Sequence, residues 1–140
     1  MRYLAVDLGD RRTGLAIGDD ELKMAQPVCV LEVSIGPRLV EKIITSLRDQ
    51  DAQALVIGLP LNMDGSAGGR VDITNTFADQ LRQKTDVPIH FQDERLTSAA
   101  AEERLAQSGK THKQKKKLRD ALAAVEFLND FLATVPKRTI

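Results

Sequence analysis

The sequence predicts an α/β fold, a five-stranded mixed sheet with helices on both faces, and three observations carry that expectation. Residues 2–33 read as three strands joined by short links, a meander whose neighbours must be antiparallel. Ala54-Leu55-Val56-Ile57-Gly58 is an unbroken apolar run, as expected of a strand covered on both faces and parallel to a neighbour. Helix and strand then alternate, so that the order βββαβαβαα places helices over both sides of the sheet.

Residues 2–8 form the first strand, Gly9-Asp10-Arg11-Arg12 can turn, and Thr13 to Gly18 reads as the returning strand. A third strand is expected from Pro27 to Val33, after the acidic Asp19-Asp20-Glu21. Pro37 suits the first turn of a helix that lines up Leu39, Val40, Ile43, Ile44 and Leu47 on one face. After the strand at 54–58, a helix carrying Phe77, Ala78 and Leu81 leads to a strand at 87–92. Thr97 or Ser98 caps a further helix that stops near Gly109, and a last helix occupies about 115–133. The 140 residues fit one domain, 1–140, large enough to bury roughly two thirds of the unfolded surface.

Lysine plus arginine balances aspartate plus glutamate at 20 each, so only the distribution of charge can point to a partner. Cys29 is the single cysteine, which excludes an internal disulfide and a multi-thiolate zinc site and suits a reducing compartment. No stretch of 18 apolar residues or leader-like start occurs, so no membrane partner is expected and the cytoplasm is the default location.

Three acids occupy settings that a bare surface charge does not explain. Asp7 closes the run Tyr3-Leu4-Ala5-Val6, and Glu94 follows the strand ending at Gln92, so both lie where a strand leaves the core. Asp120 lies in the last helix. At 100° per residue, Leu118, Ala121, Leu122, Val125, Leu128 and Leu132 form one face, and Asp120 falls with Ala124, Phe127 and Phe131 on a second apolar flank. A carboxylate there is costly unless a cation or hydrogen-bond donors meet it. Ala123 and Ala124 would let this helix approach the sheet closely. The three carboxylates therefore read as a metal site and should converge within about 4 Å, since magnesium sits about 2.1 Å from its ligands. Hard oxygens without a thiolate or histidine cluster imply Mg²⁺ or Mn²⁺.

Basic residues flank all three acids: Arg11 and Arg12, Arg95, and the run that includes Lys113, Lys115, Lys116 and Lys117. Such cations would hold a nucleic-acid backbone beside a metal. Gly58-Leu59-Pro60-Leu61-Asn62-Met63-Asp64-Gly65 is a strand-end loop in which Asn62 and Asp64 could face a substrate. A phosphate loop is excluded, because Leu15-Ala16 stand where a Walker motif needs Lys-Ser/Thr. Asp7-Leu8-Gly9 also resembles the first phosphate loop of the actin and hexokinase ATPases, but one domain cannot supply their two-domain clamp.

Taken together, Asp7-Leu8-Gly9 with Gly14-Leu15-Ala16, the 58–65 loop, Asp93-Glu94-Arg95-Leu96-Thr97-Ser98 and Asp120 with Ala123-Ala124 resemble the YqgF family of pre-16S rRNA nucleases. That family is related to the RuvC-type Holliday-junction resolvases. The resemblance spans nearly the whole chain and implies an RNase H-like fold, with Asp7, Glu94 and Asp120 as catalytic residues. It also implies hydrolysis of nucleic-acid phosphodiesters at the 5′ end of 16S rRNA. Branched DNA is the alternative substrate, and a non-catalytic RNA-binding assembly factor the alternative role. Where the family often has Thr-Lys after its first Asp-x-Gly, this chain has Asp10-Arg11, an extra carboxylate beside the expected site.

Overall fold

The structure, a computed structural model, describes residues 1–95, 109 and 111–136, and for 112–117 the backbone alone. β1 (Arg2–Asp7), β2 (Thr13–Asp19) and β3 (Met24–Leu31) form the meander. They are followed by α1 (Pro37–Asp49), β4 (Ala54–Leu59), α2 (Gly69–Arg82), β5 (Ile89–Asp93) and α3 (His112–Thr134). The sheet runs β3-β2-β1-β4-β5. β1 is antiparallel to β2, and β2 to β3, as their short turns require. The helical crossovers make β4 parallel to β1, and β5 parallel to β4.

Strand alternation sorts the core into two layers. Leu4 and Val6, Leu15 and Ile17, Leu55 and Ile57 face α1 and α2, where they meet Leu39, Ile43, Phe77 and Leu81. Their chain neighbours Tyr3 and Ala5, Ala16, Ala54 and Val56 face α3 and meet Ala124, Phe127, Leu128 and Leu132. Leu4, Leu55 and Phe77 are almost wholly buried, and each such side chain contributes about 1.5–3 kcal/mol by leaving water. The α3 side of β2 carries Gly14, Ala16 and Gly18, so the helix lies close against it; a methyl at Gly18 would press on Leu128 and Leu132. Val125, Leu128 and Leu132 of one wheel flank thus join Ala124, Phe127 and Phe131 of the other in one broad face, while Leu118 and Leu122 form a separate small cluster.

Element boundaries differ from expectation in three places. β3 starts at Met24, three residues before Pro27, because Met24 pairs with Asp19 across a turn in which Lys23 takes a left-handed φ of 54°. Pro27 is tolerated inside the strand because β3 is an edge and its register shifts there, opposite Leu15/Ala16. β5 starts at Ile89 although Pro88 already accepts a hydrogen bond from Leu55 N. α3 begins at His112, three residues early. Its far end is held by Lys23, whose Nζ donates to the carbonyls of Leu132 (2.7 Å) and Val135, groups that a helix end leaves without partners. The helix expected over 97–109 lies outside the described residues.

Candidate active site

Asp7 continues the α3-facing series Tyr3, Ala5, and Glu94 continues the series His90, Gln92. Both therefore emerge at the same end and on the same face of the sheet. β4 separates them. Its residue at that level is Gly58, which lies one step beyond the Val6–Ile57 pair and is paired with Gln92. A methyl on Gly58 would overlap Oε2 of Glu94 and press on Phe127. The missing side chain is what lets Glu94 lie back over β4 towards Asp7. On the other flank Asp7 is paired with Gly14, and a methyl there would overlap the backbone carbonyl of Asp120. Two glycines thus bring a side chain and a helix up to Asp7 from opposite sides. Sequence reasoning singled out the three acids but not the function of Gly14 and Gly58, because a glycine that makes room shows no signal without its neighbours.

Electrostatics at Asp7 is unfavourable for a bare anion. Burial pushes its carboxyl well above the usual carboxylate range, and the charges of Glu94 and then Asp120 push it further. Asp7 donates its carboxyl proton to Glu94, whose own value is raised by burial although this hydrogen bond and Arg70 oppose the rise. Burial raises Asp120 as well, against the pull of Arg12, whose Nε lies 3.5 Å from Asp120 Oδ2. The expected convergence is therefore incomplete: Asp7 and Glu94 share a proton, while Asp120 leans on Arg12. Among the described residues no three acidic, histidine or cysteine side chains close into a ligand cluster. The donor set nonetheless suits a hard divalent cation. Two oxygen acids pressed together in a poorly solvated cleft must hold either a proton or a cation between them.

The expected contacts with substrate divide into three groups. Arg11 and Arg12 are exposed on the β1–β2 turn, Arg12 over Asp120. Arg95 is engaged elsewhere. Its guanidinium binds Asp93 at 2.6–2.7 Å and donates to the Met63 carbonyl at 3.3 Å, tying the 58–65 loop to the end of β5. Asn62 and Asp64 close that loop on itself: Asn62 Nδ2 donates to Ser66 Oγ at 3.0 Å, and Asp64 accepts from Ser66 N and Oγ. The Ser66 donors hold the Asp64 carboxyl below its usual range. Lys113, Lys115, Lys116 and Lys117 stand on the first turns of α3, but their side chains lie outside the described residues. Arg70, at the start of α2, was not singled out from the sequence. Its charge reaches both Asp7 and Glu94, and its Nη1 lies 3.1 Å and 3.2 Å from the oxygens of Asp10.

This arrangement of strands and helices is the RNase H-like fold of the resolvases. The fowlpox virus resolvase solved with Holliday junction DNA superposes with a TM-score of 0.63 at 9% identity, over 98% of this chain and 100% of that one. Thermus thermophilus RuvC gives 0.56 at 17% identity over 94% of both. The chain belongs to the RuvX family, described as Holliday junction resolvase, whose family model matches residues 1–134. It is accordingly a hydrolase of a nuclease family. A relative from Roseiflexus sp. (strain RS-1), named "Putative pre-16S rRNA nuclease", is 37% identical over 131 residues, 94% of this chain and 93% of that protein. One of the same name from Anaeromyxobacter sp. (strain Fw109-5) is 39% identical over 132 residues, 94% and 96%.

Proposed function

We propose that this chain, as one domain spanning 1–140, hydrolyses phosphodiester bonds of structured precursor rRNA at the 5′ end of 16S rRNA. It would act in the cytoplasm, during ribosome biogenesis, with Mg²⁺ or Mn²⁺ as cofactor. Asp7, Glu94 and Asp120 are the residues assigned to hold the metal. The single observation that carries the reading is the pairing of Asp7 with Glu94 over the bare backbone of Gly58, two acids placed where neither is stable as an isolated anion. Bound there, a divalent ion would supply a low-pKa water as nucleophile and offset charge on the phosphate.

The chain's own groups do the rest. With a cation held there, Asp7 would release its proton to solvent so that two ionised carboxylates face the cleft, and Asp120 would turn from Arg12 to the site. Released from Asp120, Arg12 places a substrate phosphate, with Arg11 and the lysines of the first turns of α3 extending the contact. The names carried by the relatives favour an rRNA substrate, whereas the family's description as Holliday junction resolvase favours branched DNA. A side-by-side cleavage assay on 16S precursor RNA and a four-way DNA junction, with Mg²⁺, Mn²⁺ or chelator, separates them. Metal-dependent cleavage of the RNA that is lost in Asp120→Asn is expected. Equal turnover in chelator would overturn the metal assignment, and binding of the RNA with neither RNA nor junction cleaved under any metal would overturn the nuclease assignment and leave an RNA-binding assembly factor.

A further inference from the structure

Asp10 and Arg70 come from distant elements, the β1–β2 turn and the first turn of α2, yet meet close enough to the site for the Arg70 charge to reach Asp7 and Glu94. Both are well exposed, at 71% and 46% of the side chain, so the pair contributes almost nothing to stability. In the structure it turns the Arg70 guanidinium towards Asp10. Among the described residues only Nη1 is engaged, and Nε and Nη2 make no hydrogen bond. A guanidinium has five N–H donors in a flat fork that matches two phosphate oxygens, so most of that fork remains for a ligand.

Resting on the nuclease reading above, we propose that Arg70 is a phosphate-positioning residue of this site and that Asp10 is its anchor. The cations divide the cleft between them. Asp7 and Glu94 feel Arg70, whereas Asp120 feels Arg12 and Arg119. A phosphodiester entering the cleft would thus meet Arg70 near Asp7 and Glu94 and Arg12 at Asp120. Asp10 has a second effect, because an untethered Arg70 would fall onto Asp7 and Glu94 and compete with a metal for their oxygens. The extra carboxylate on the β1–β2 turn acquires a function by this arrangement. It keeps a cation next to the acids without letting it neutralise them.

Arg70→Ala, Arg70→Lys, Asp10→Asn and the Asp10→Asn/Arg70→Ala pair test this in the full chain. The probes are a 16S precursor leader RNA and a four-way DNA junction, with Asp7→Asn as the reference for lost chemistry. Arg70→Ala should lower kcat/KM about 10–100-fold with its melting temperature unchanged. Binding measured across salt, in the Asp7→Asn background, should lose about one phosphate contact, a fall of about 0.7–0.9 in the logarithmic slope. Arg70→Lys should restore the slope but not kcat, since a point charge lacks the fork. Asp10→Asn should lower kcat with the slope kept, and the pair should be no worse than Arg70→Ala alone. If Asp7→Asn is inactive while Arg70→Ala cleaves and binds like the parent, the nuclease reading stands and the role of Arg70 is gone. Faster cleavage by Asp10→Asn, or strictly additive losses in the pair, would overturn the anchor. Parental cleavage by Asp7→Asn itself would instead defeat the placing of the active site at Asp7, and an inactive parent would defeat the nuclease reading.

Discussion

The β1–β2 hairpin carries an acid at each end, and the two have opposite company. At the far end Asp20, with its side chain 6% exposed, accepts a 2.9 Å ion pair from the amino group of Met1. At the near end Asp7 faces Glu94 and the charge of Asp120, and keeps its proton to do so. The same hairpin, with the same residue type, builds one charge that is matched and one that is crowded. A matched charge holds chain segments together, whereas a crowded one stores an appetite for a cation. The comparison separates acids that maintain the fold from acids that act.

The largest expected effect comes from breaking the crowded end. Asp7→Asn should lower metal-dependent cleavage by about 10³-fold or more, equivalent to ~4 kcal/mol of transition-state stabilisation. The amide still donates a hydrogen bond to Glu94 as the protonated acid does, so melts in chelator should match the parent; a marked loss of stability would mean Asp7 belongs with Asp20. The glycines sharpen the same contrast. Gly14→Ala drives a methyl into the Asp120 backbone, which cannot move without shifting α3, and should cost about 3 kcal/mol or more by denaturant unfolding. Gly58→Ala overlaps both the flexible end of Glu94 and the buried Phe127 ring, so stability and activity should both fall, activity the further of the two.

At the matched end, Asp20→Asn should lose about 1–3 kcal/mol of stability in denaturant titrations while turnover of the folded protein stays parental. The smallest effect is in pH. Asp7's folded value lies above that of an unfolded aspartate, about 3.9, so the folded, metal-free protein holds the extra proton between the two. Its contribution is complete below the unfolded value and is lost as pH rises through the folded one. Chelator-treated melts should therefore decline with rising pH in that window, and Asp7→Asn should flatten the decline. A parent whose stability climbs there would place a cation against Asp7 instead.

The antiparallel meander, the mixed sheet and the helix faces were legible because they follow from apolar periodicity and link length, both local. β3 was misjudged at Pro27 because a proline reads as a strand boundary until the strand is known to be an edge. Asp120 was legible because a wheel shows an acid among Ala124, Phe127 and Phe131. Arg95, Asn62 and Asp64 were visible as residue types, but their engagement inside the 58–66 loop depends on how that loop folds back on β5. Arg70 could not be found at all. Its position follows from where α2 begins, and that is set by packing over the sheet.

The strand spacing also gives the site a ruler. Asp7 and Glu94 leave strands separated by β4, two intervals or about 9.6 Å across the sheet, and Glu94 stands two residues past Gln92, the residue level with Asp7. The chain divides the reach unequally, with the shorter acid on β1 and the longer one arriving from the end of β5 over a residue without a side chain. Aspartate at 94 would keep the charge and lose the span. Length at one position and emptiness at another are thus a single specification, written in two residues 36 positions apart.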